Sequence, residues 1–115
     1  MKITIASLTI LLYAPILLGQ DLNLYEKKTF TSSKNQVLPY RILMPENYDR
    51  SKKYPLIVFL HGGGERGNDN EKQLTHGAGL FLTEETRKNY PAIVVFPQCP
   101  AESYWGSVKI DRSTA

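Results

Sequence analysis

The stretch Leu56-Ile57-Val58-Phe59-Leu60-His61-Gly62-Gly63-Gly64-Glu65-Arg66-Gly67 constrains this chain more than any other. Five consecutive apolar residues predict a strand buried on both faces, as strands of parallel sheets are. A histidine and three glycines follow at once. Glycines placed directly after a buried strand let the backbone turn sharply and keep side chains clear of it. The N–H groups of such a loop are free to face an anion or a developing negative charge.

A second run of the same kind, Ala92-Ile93-Val94-Val95-Phe96, is bounded by Pro91 and Pro97. The residues between the two runs, 61–91, carry helix signals. Asn70 is placed to cap a helix and Glu71 to sit near its positive end. Leu74, Ala78 and Phe81 share one helical face, although Gly77 and Gly79 weaken that helix. Thr83-Glu84-Glu85 reads as a second helix start and Arg87-Lys88-Asn89 as its end. Strand, helix and strand at this spacing predict a βαβ crossover, which requires the two strands to be parallel.

Ahead of this unit, the alternation over Lys27–Thr31 predicts a half-exposed strand, and Val37–Met44 predicts a second. Ser32–Gln36 is the polar turn between them, so the two form an antiparallel hairpin. Leu38, Tyr40, Ile42 and Met44 fall on one face. Pro39 lacks a ladder donor, which puts its strand near a sheet edge or makes it start late. The fold class is α/β, with an antiparallel hairpin followed by a parallel crossover.

Residues 1–20 read as a secretory signal peptide. Lys2 is the positive start, Ile3–Leu18 is apolar, and Gly19 offers a small residue for a cut between Gly19 and Asp21. The alternative is an uncleaved membrane anchor. Cleavage leaves no stable membrane span and predicts a secreted or periplasmic protein comprising residues 21–115.

The 14 Lys and Arg against 11 Asp and Glu give a net charge of +3. They are scattered, and no basic stripe alternates with aromatics, which argues against nucleic acid as a partner. The single cysteine, Cys99, rules out a disulfide inside the chain. It is either a buried small hydrophobe or the partner of a cysteine elsewhere. His61 and His76 are the only histidines and have no carboxylate at ligand spacing, so no metal site is expected. Gly67 is followed by Asn68-Asp69 where a phosphate-binding loop would have Lys-Ser or Lys-Thr, so a nucleotide site is set aside. No cofactor is called for.

Three segments together carry a resemblance: Leu43-Met44-Pro45-Glu46-Asn47-Tyr48, then Lys53-Tyr54-Pro55 leading into the strand and His61–Gly67, then Phe96-Pro97-Gln98-Cys99-Pro100 with Trp105. Over residues 24–106 the chain resembles the N-terminal part of secreted bacterial α/β-hydrolases. The group is that of predicted peptidases and phospholipase/carboxylesterase-like proteins, related to feruloyl esterases and dienelactone hydrolases. The resemblance implies a three-layer sheet fold and acyl transfer through a Ser–His–acid triad. It implies that the backbone N–H groups of Gly63 and Gly64 form part of an oxyanion hole. His61 would orient that loop by a hydrogen bond. Glu65 and Arg66 either form an ion pair that fixes the loop or stand solvated, and His76 is structural or exposed.

The nucleophile of that family sits in a Gly-x-Ser-x-Gly elbow. None of Ser7, Ser32, Ser33, Ser51, Ser103, Ser107 and Ser113 has glycine two residues before and two after. The family order places the elbow, the acid and the histidine after the fourth strand, beyond Ala115, so no catalytic residue is expected within these residues. The implied substrate is a small-molecule or polysaccharide-linked ester. Three functional outcomes stay open: the N-terminal part of a carboxylic ester hydrolase, a peptidase of the same fold, or an inactive truncated remnant. A chain of this length that must cover two buried strands is expected to be marginally stable or aggregation-prone alone.

Overall fold

The structure is a computed structural model that describes residues 20–106. The signal-peptide segment lies outside the described residues, apart from Gln20. Four strands form one mixed sheet: β1 (Glu26–Thr31), β2 (Val37–Leu43), β3 (Leu56–Val58) and β4 (Ile93–Pro97). Their spatial order is β1-β2-β4-β3. β1 and β2 form the antiparallel hairpin, turning at Ser32–Gln36, where Asn35 takes a positive φ of 58°. β4 pairs antiparallel with β2 and parallel with β3.

β2 lies inside the sheet rather than at its edge. Pro39 is tolerated because its carbonyl, and therefore its missing N–H, turns toward the β4 side. The β2–β4 ladder ends there with Tyr40 opposite Pro97, and the Pro39 carbonyl accepts the Gln98 N–H at 2.9 Å.

The crossover runs as short helical turns, not as one long helix. Lys72–Leu74 and Ala78–Leu82 are 3-10 turns separated by Gly77. Gly77 has φ +82°, and a Cβ there would meet the Phe59 ring at 2.7 Å. A left-handed residue held against an aromatic ring ends any helix. Asn70 does not cap: it is itself left-handed, with φ 54°, while the Asp69 carboxylate accepts the Glu71 and Lys72 N–H groups. Thr83 does cap α1 (Glu84–Asn89), its hydroxyl accepting the Thr86 N–H at 3.2 Å.

One face of the sheet carries the core. Phe96 is fully buried at its centre, stacked on Phe59 at 4.7 Å and met edge-on by Tyr25 at 5.3 Å and Phe81 at 6.0 Å. Leu43, Val94, Leu74 and Ala78 complete it. The Tyr25 hydroxyl donates to the Ala78 carbonyl at 2.9 Å, and burial pushes its phenol pKa upward. Arg41 is buried on this face and donates to the carbonyls of Asn70 at 2.6 Å and Tyr25 at 2.8 Å.

The other face is open among the described residues. Leu56, Val58 and Leu60 are 64%, 53% and 54% exposed, and Ile42, Ile93 and Val95 are half-buried. β3 was expected to be covered on both faces; the crossover packs on one face only. The β2 residues singled out from the sequence, Leu38, Tyr40 and Ile42, alternate with the deeply buried Arg41 and Leu43. They therefore belong to the open side.

Candidate active site

Because β3 and β4 are parallel, the loops that follow them, 61–70 and 98–105, emerge at the same edge of the sheet. In open α/β sheets this carboxyl edge is where ligands bind.

His61 is buried between the two loops. Its Nε2 accepts the Cys99 N–H at 3.0 Å. That leaves the ring proton on Nδ1, which donates to the Gly62 carbonyl at 2.7 Å. The Trp105 indole N–H donates to the His61 carbonyl at 2.9 Å, and the two rings pack with centroids 4.9 Å apart. Cys99 is a free, buried thiol whose backbone serves the loops in both directions. Its N–H goes to His61, and its carbonyl accepts the Gly67 N–H at 2.9 Å.

Gly63–Glu65 form a single 3-10 turn preceded by extended Gly62, with φ −78° and ψ −179°. Neither the Gly63 nor the Gly64 N–H meets a protein acceptor among the described residues, as befits the first positions of a helical turn. A Cβ added to either glycine would meet nothing within 4 Å, and neither has a positive φ. Neither backbone conformation nor packing in the described residues demands glycine there. What glycine does provide is unobstructed approach to the two N–H groups.

Arg66 and Glu65 do not pair with each other. Arg66 Nε donates to the Gly63 carbonyl at 2.8 Å and Nη1 to the Ser103 carbonyl at 3.1 Å, while its guanidinium lies over the Tyr104 ring at 4.4 Å. Glu65 turns the other way. Its Oε1 lies 3.3 Å from His76 Nε2, and its Oε2 is the atom that a Cβ on Gly62 would meet at 3.1 Å. His76 is otherwise well exposed.

Sequence reasoning did not find the role of Gln98. This fully buried amide accepts the Asn70 N–H at 2.7 Å and donates to the Glu65 carbonyl at 3.1 Å and to Asp69 Oδ1 at 2.7 Å. The bond from Gln98 is the main reason the Asp69 carboxyl sits below the usual aspartate range. A polar residue between Pro97 and Cys99, straight after a buried strand, was the available signal. Beside the far end of the loop, Val37, Pro39, Gly67, Asn68, Pro100 and Glu102 line a hollow of about 500 Å³. Among the described residues no three His, Cys, Asp or Glu side chains cluster as a metal site would require. No helix there is long and apolar enough to cross a membrane.

A crystal structure of a thermostable esterase superposes on 77% of this chain with a TM-score of 0.69 and 37% sequence identity. The chain has the α/β-hydrolase fold. It spans 24% of that esterase, about a quarter of its length. A CE1 ferulic acid esterase from Anaeromyces mucronatus matches the same fold over 78% of the chain and 34% of its own, with a TM-score of 0.51 and 23% identity. Among curated proteins, dipeptidyl-peptidase 5 of Aspergillus fumigatus is 68% identical over 22 residues, 19% of this chain and 3% of that protein. A probable dipeptidyl-peptidase 5 of Aspergillus terreus is 37% identical over 43 residues, 37% of this chain and 6% of that protein. No family model matches. The α/β-hydrolase-type sheet expected from the sequence is therefore the one the structure has.

Proposed function

We propose that this chain is the N-terminal part of a carboxylic ester hydrolase and supplies the oxyanion donors of its active site. The observation that carries this reading is the pair of N–H groups at Gly63 and Gly64, which meet no protein acceptor among the described residues and sit on glycines with open Cβ positions at the carboxyl edge of a parallel pair. When a nucleophile attacks an ester carbonyl, the carbonyl oxygen gains negative charge. Donors already aimed at that position stabilise it without reorganising, and one such donor contributes roughly 3–4 kcal/mol to lowering the barrier. The histidine, buried and bonded at both ring nitrogens, orients the loop and takes no part in proton transfer. The nucleophile, its base and its acid are assigned to sequence beyond Ala115, and residues 1–20 to export.

The substrate class is a small or polysaccharide-linked ester, in line with the esterase neighbours. Peptide hydrolysis is the second reading, favoured by the short matches to dipeptidyl-peptidase 5. Both reactions pass through the same tetrahedral oxyanion. Sequencing the coding region and transcript past the Ala115 codon tests the proposal. A reading frame continuing into Gly-x-Ser-x-Gly and then Asp and His supports it, with turnover of p-nitrophenyl acetate by that polypeptide. A stop with no such segment downstream makes the chain an inactive remnant.

A further inference from the structure

We propose that Arg66 and His61 are positioning residues that each hold one of the two oxyanion peptides by its carbonyl, and that Tyr104 sets Arg66 in place. The proposal rests on the donor role assigned to Gly63 and Gly64 above.

In a trans peptide the C=O and N–H of one unit point in opposite directions. The Gly62 carbonyl belongs to the same plane as the Gly63 N–H, and the Gly63 carbonyl to the same plane as the Gly64 N–H. His61 Nδ1 holds the first carbonyl at 2.7 Å and Arg66 Nε holds the second at 2.8 Å. Each side chain thereby turns the opposite N–H away from itself, on glycines whose Cβ positions are open. A glycine pair would otherwise rotate freely about its φ and ψ.

Arg66 adds a second effect. A hydrogen bond from a cation polarises the peptide that accepts it and strengthens the donor at its other end. The guanidinium charge therefore makes the Gly64 N–H a better oxyanion donor. Arg66 is itself set by the loop after β4, through the Ser103 carbonyl at 3.1 Å and the face of Tyr104 at 4.4 Å. His61 is tied to the same loop through Cys99 and Trp105. The loop after β4 thus sets both oxyanion peptides from their carbonyl side.

The chain contains only two Gly-Gly peptide bonds, 62–63 and 63–64. In the full chain labelled with [1-13C,15N]glycine, a one-bond N–C′ correlation spectrum contains two signals and reads these two peptides alone. It does so in solution or in the solid state. Losing a hydrogen bond shifts a carbonyl carbon upfield. Arg66→Ala is expected to shift the Gly63 carbonyl upfield and leave that of Gly62 in place. Tyr104→Leu is expected to move the Gly63 signal the same way, and His61→Phe to move the Gly62 signal. A Gly63 carbonyl unmoved by Arg66→Ala, or by Tyr104→Leu, overturns the proposal. Sodium acetate, a carboxylate stand-in for the oxyanion, separates the two claims. The wild-type Gly63 and Gly64 nitrogens should both respond to it, and Arg66→Ala should lose the Gly64 response and keep that of Gly63. Acetate that moves neither wild-type nitrogen refutes the donor role, while the carbonyl shifts still decide the positioning.

Discussion

Replacing Gly63 by proline deletes one of the two proposed oxyanion donors and almost nothing else. Gly63 is the first residue of a 3-10 turn, a position whose φ suits the proline ring and whose N–H has no partner among the described residues. The preceding residue, Gly62, is extended with ψ −179°, which is the conformation a following proline requires. A Cβ at position 63 meets nothing within 4 Å. Proline also narrows the unfolded ensemble, a gain of about 0.4–1 kcal/mol where the native geometry is compatible. Stability should therefore hold or rise slightly. Catalysis should fall by about 10²–10³ in kcat, the cost of one donor at a developing oxyanion. The assay is p-nitrophenyl acetate turnover by the polypeptide that joins this chain to its nucleophile, with a thermal melt of the same sample. Unchanged kcat at unchanged Tm would refute the donor role of Gly63. A collapse of both would show instead that the glycine is structural.

Other changes test the clamp between the two loops. His61→Phe leaves the Cys99 N–H buried without an acceptor, so urea unfolding should show a loss of about 1–3 kcal/mol. Gln98→Leu strips partners from Asn70, Glu65 and Asp69 at once, and a loss of about 2 kcal/mol or more is expected in the same assay. Asp69 is held below its ordinary pKa chiefly by Gln98, so its contribution is complete above the unfolded value near 3.9 and disappears as pH falls through the lower folded value. Hydrogen-exchange protection of residues 69–72 should fall in that acid range, and Asp69→Asn should lessen the pH dependence, leaving the part due to Glu71, which Lys27 also holds below its ordinary pKa. Residues 21–115 alone, with Leu56, Val58 and Leu60 exposed on an open sheet face, should bind a hydrophobic dye and self-associate. A sharp, reversible melt of a monomer contradicts that expectation.

Local chemistry made much of this fold legible. The hairpin announced itself by alternation and a polar turn, and the parallel pair by two apolar runs separated by helix signals. Thr83 capped its helix as a threonine followed by two acidic residues should. The departures came from contacts distant in sequence. Asn70 fails as a cap because its amide oxygen, the atom that would accept a helix N–H, accepts from Gln73 Nε2, while its NH2 donates to the carbonyls of Lys28 and Tyr40 across the sheet. Pro39 sits in an inner strand because the neighbouring ladder stops one residue short of it. Arg66 ignores adjacent Glu65 because a carbonyl at Gly63 and an aromatic face at Tyr104 suit its planar fork. Glycines 62–64 marked the place of the candidate site. Ser103 and Tyr104 were invisible as its supports, and Gln98 was marked only as a polar residue straight after a buried strand, since only the β4 pairing brings their loop alongside.

The most direct test is the structure of the polypeptide carrying this chain after reaction with an aryl phosphonate ester, which leaves a tetrahedral oxyanion on the nucleophile. The account predicts a phosphonylated serine in a Gly-x-Ser-x-Gly turn, with the phosphonyl oxygen about 2.7–3.1 Å from the nitrogens of Gly63 and Gly64. A labelled serine whose phosphonyl oxygen points away from both glycines, held by other donors, would contradict it.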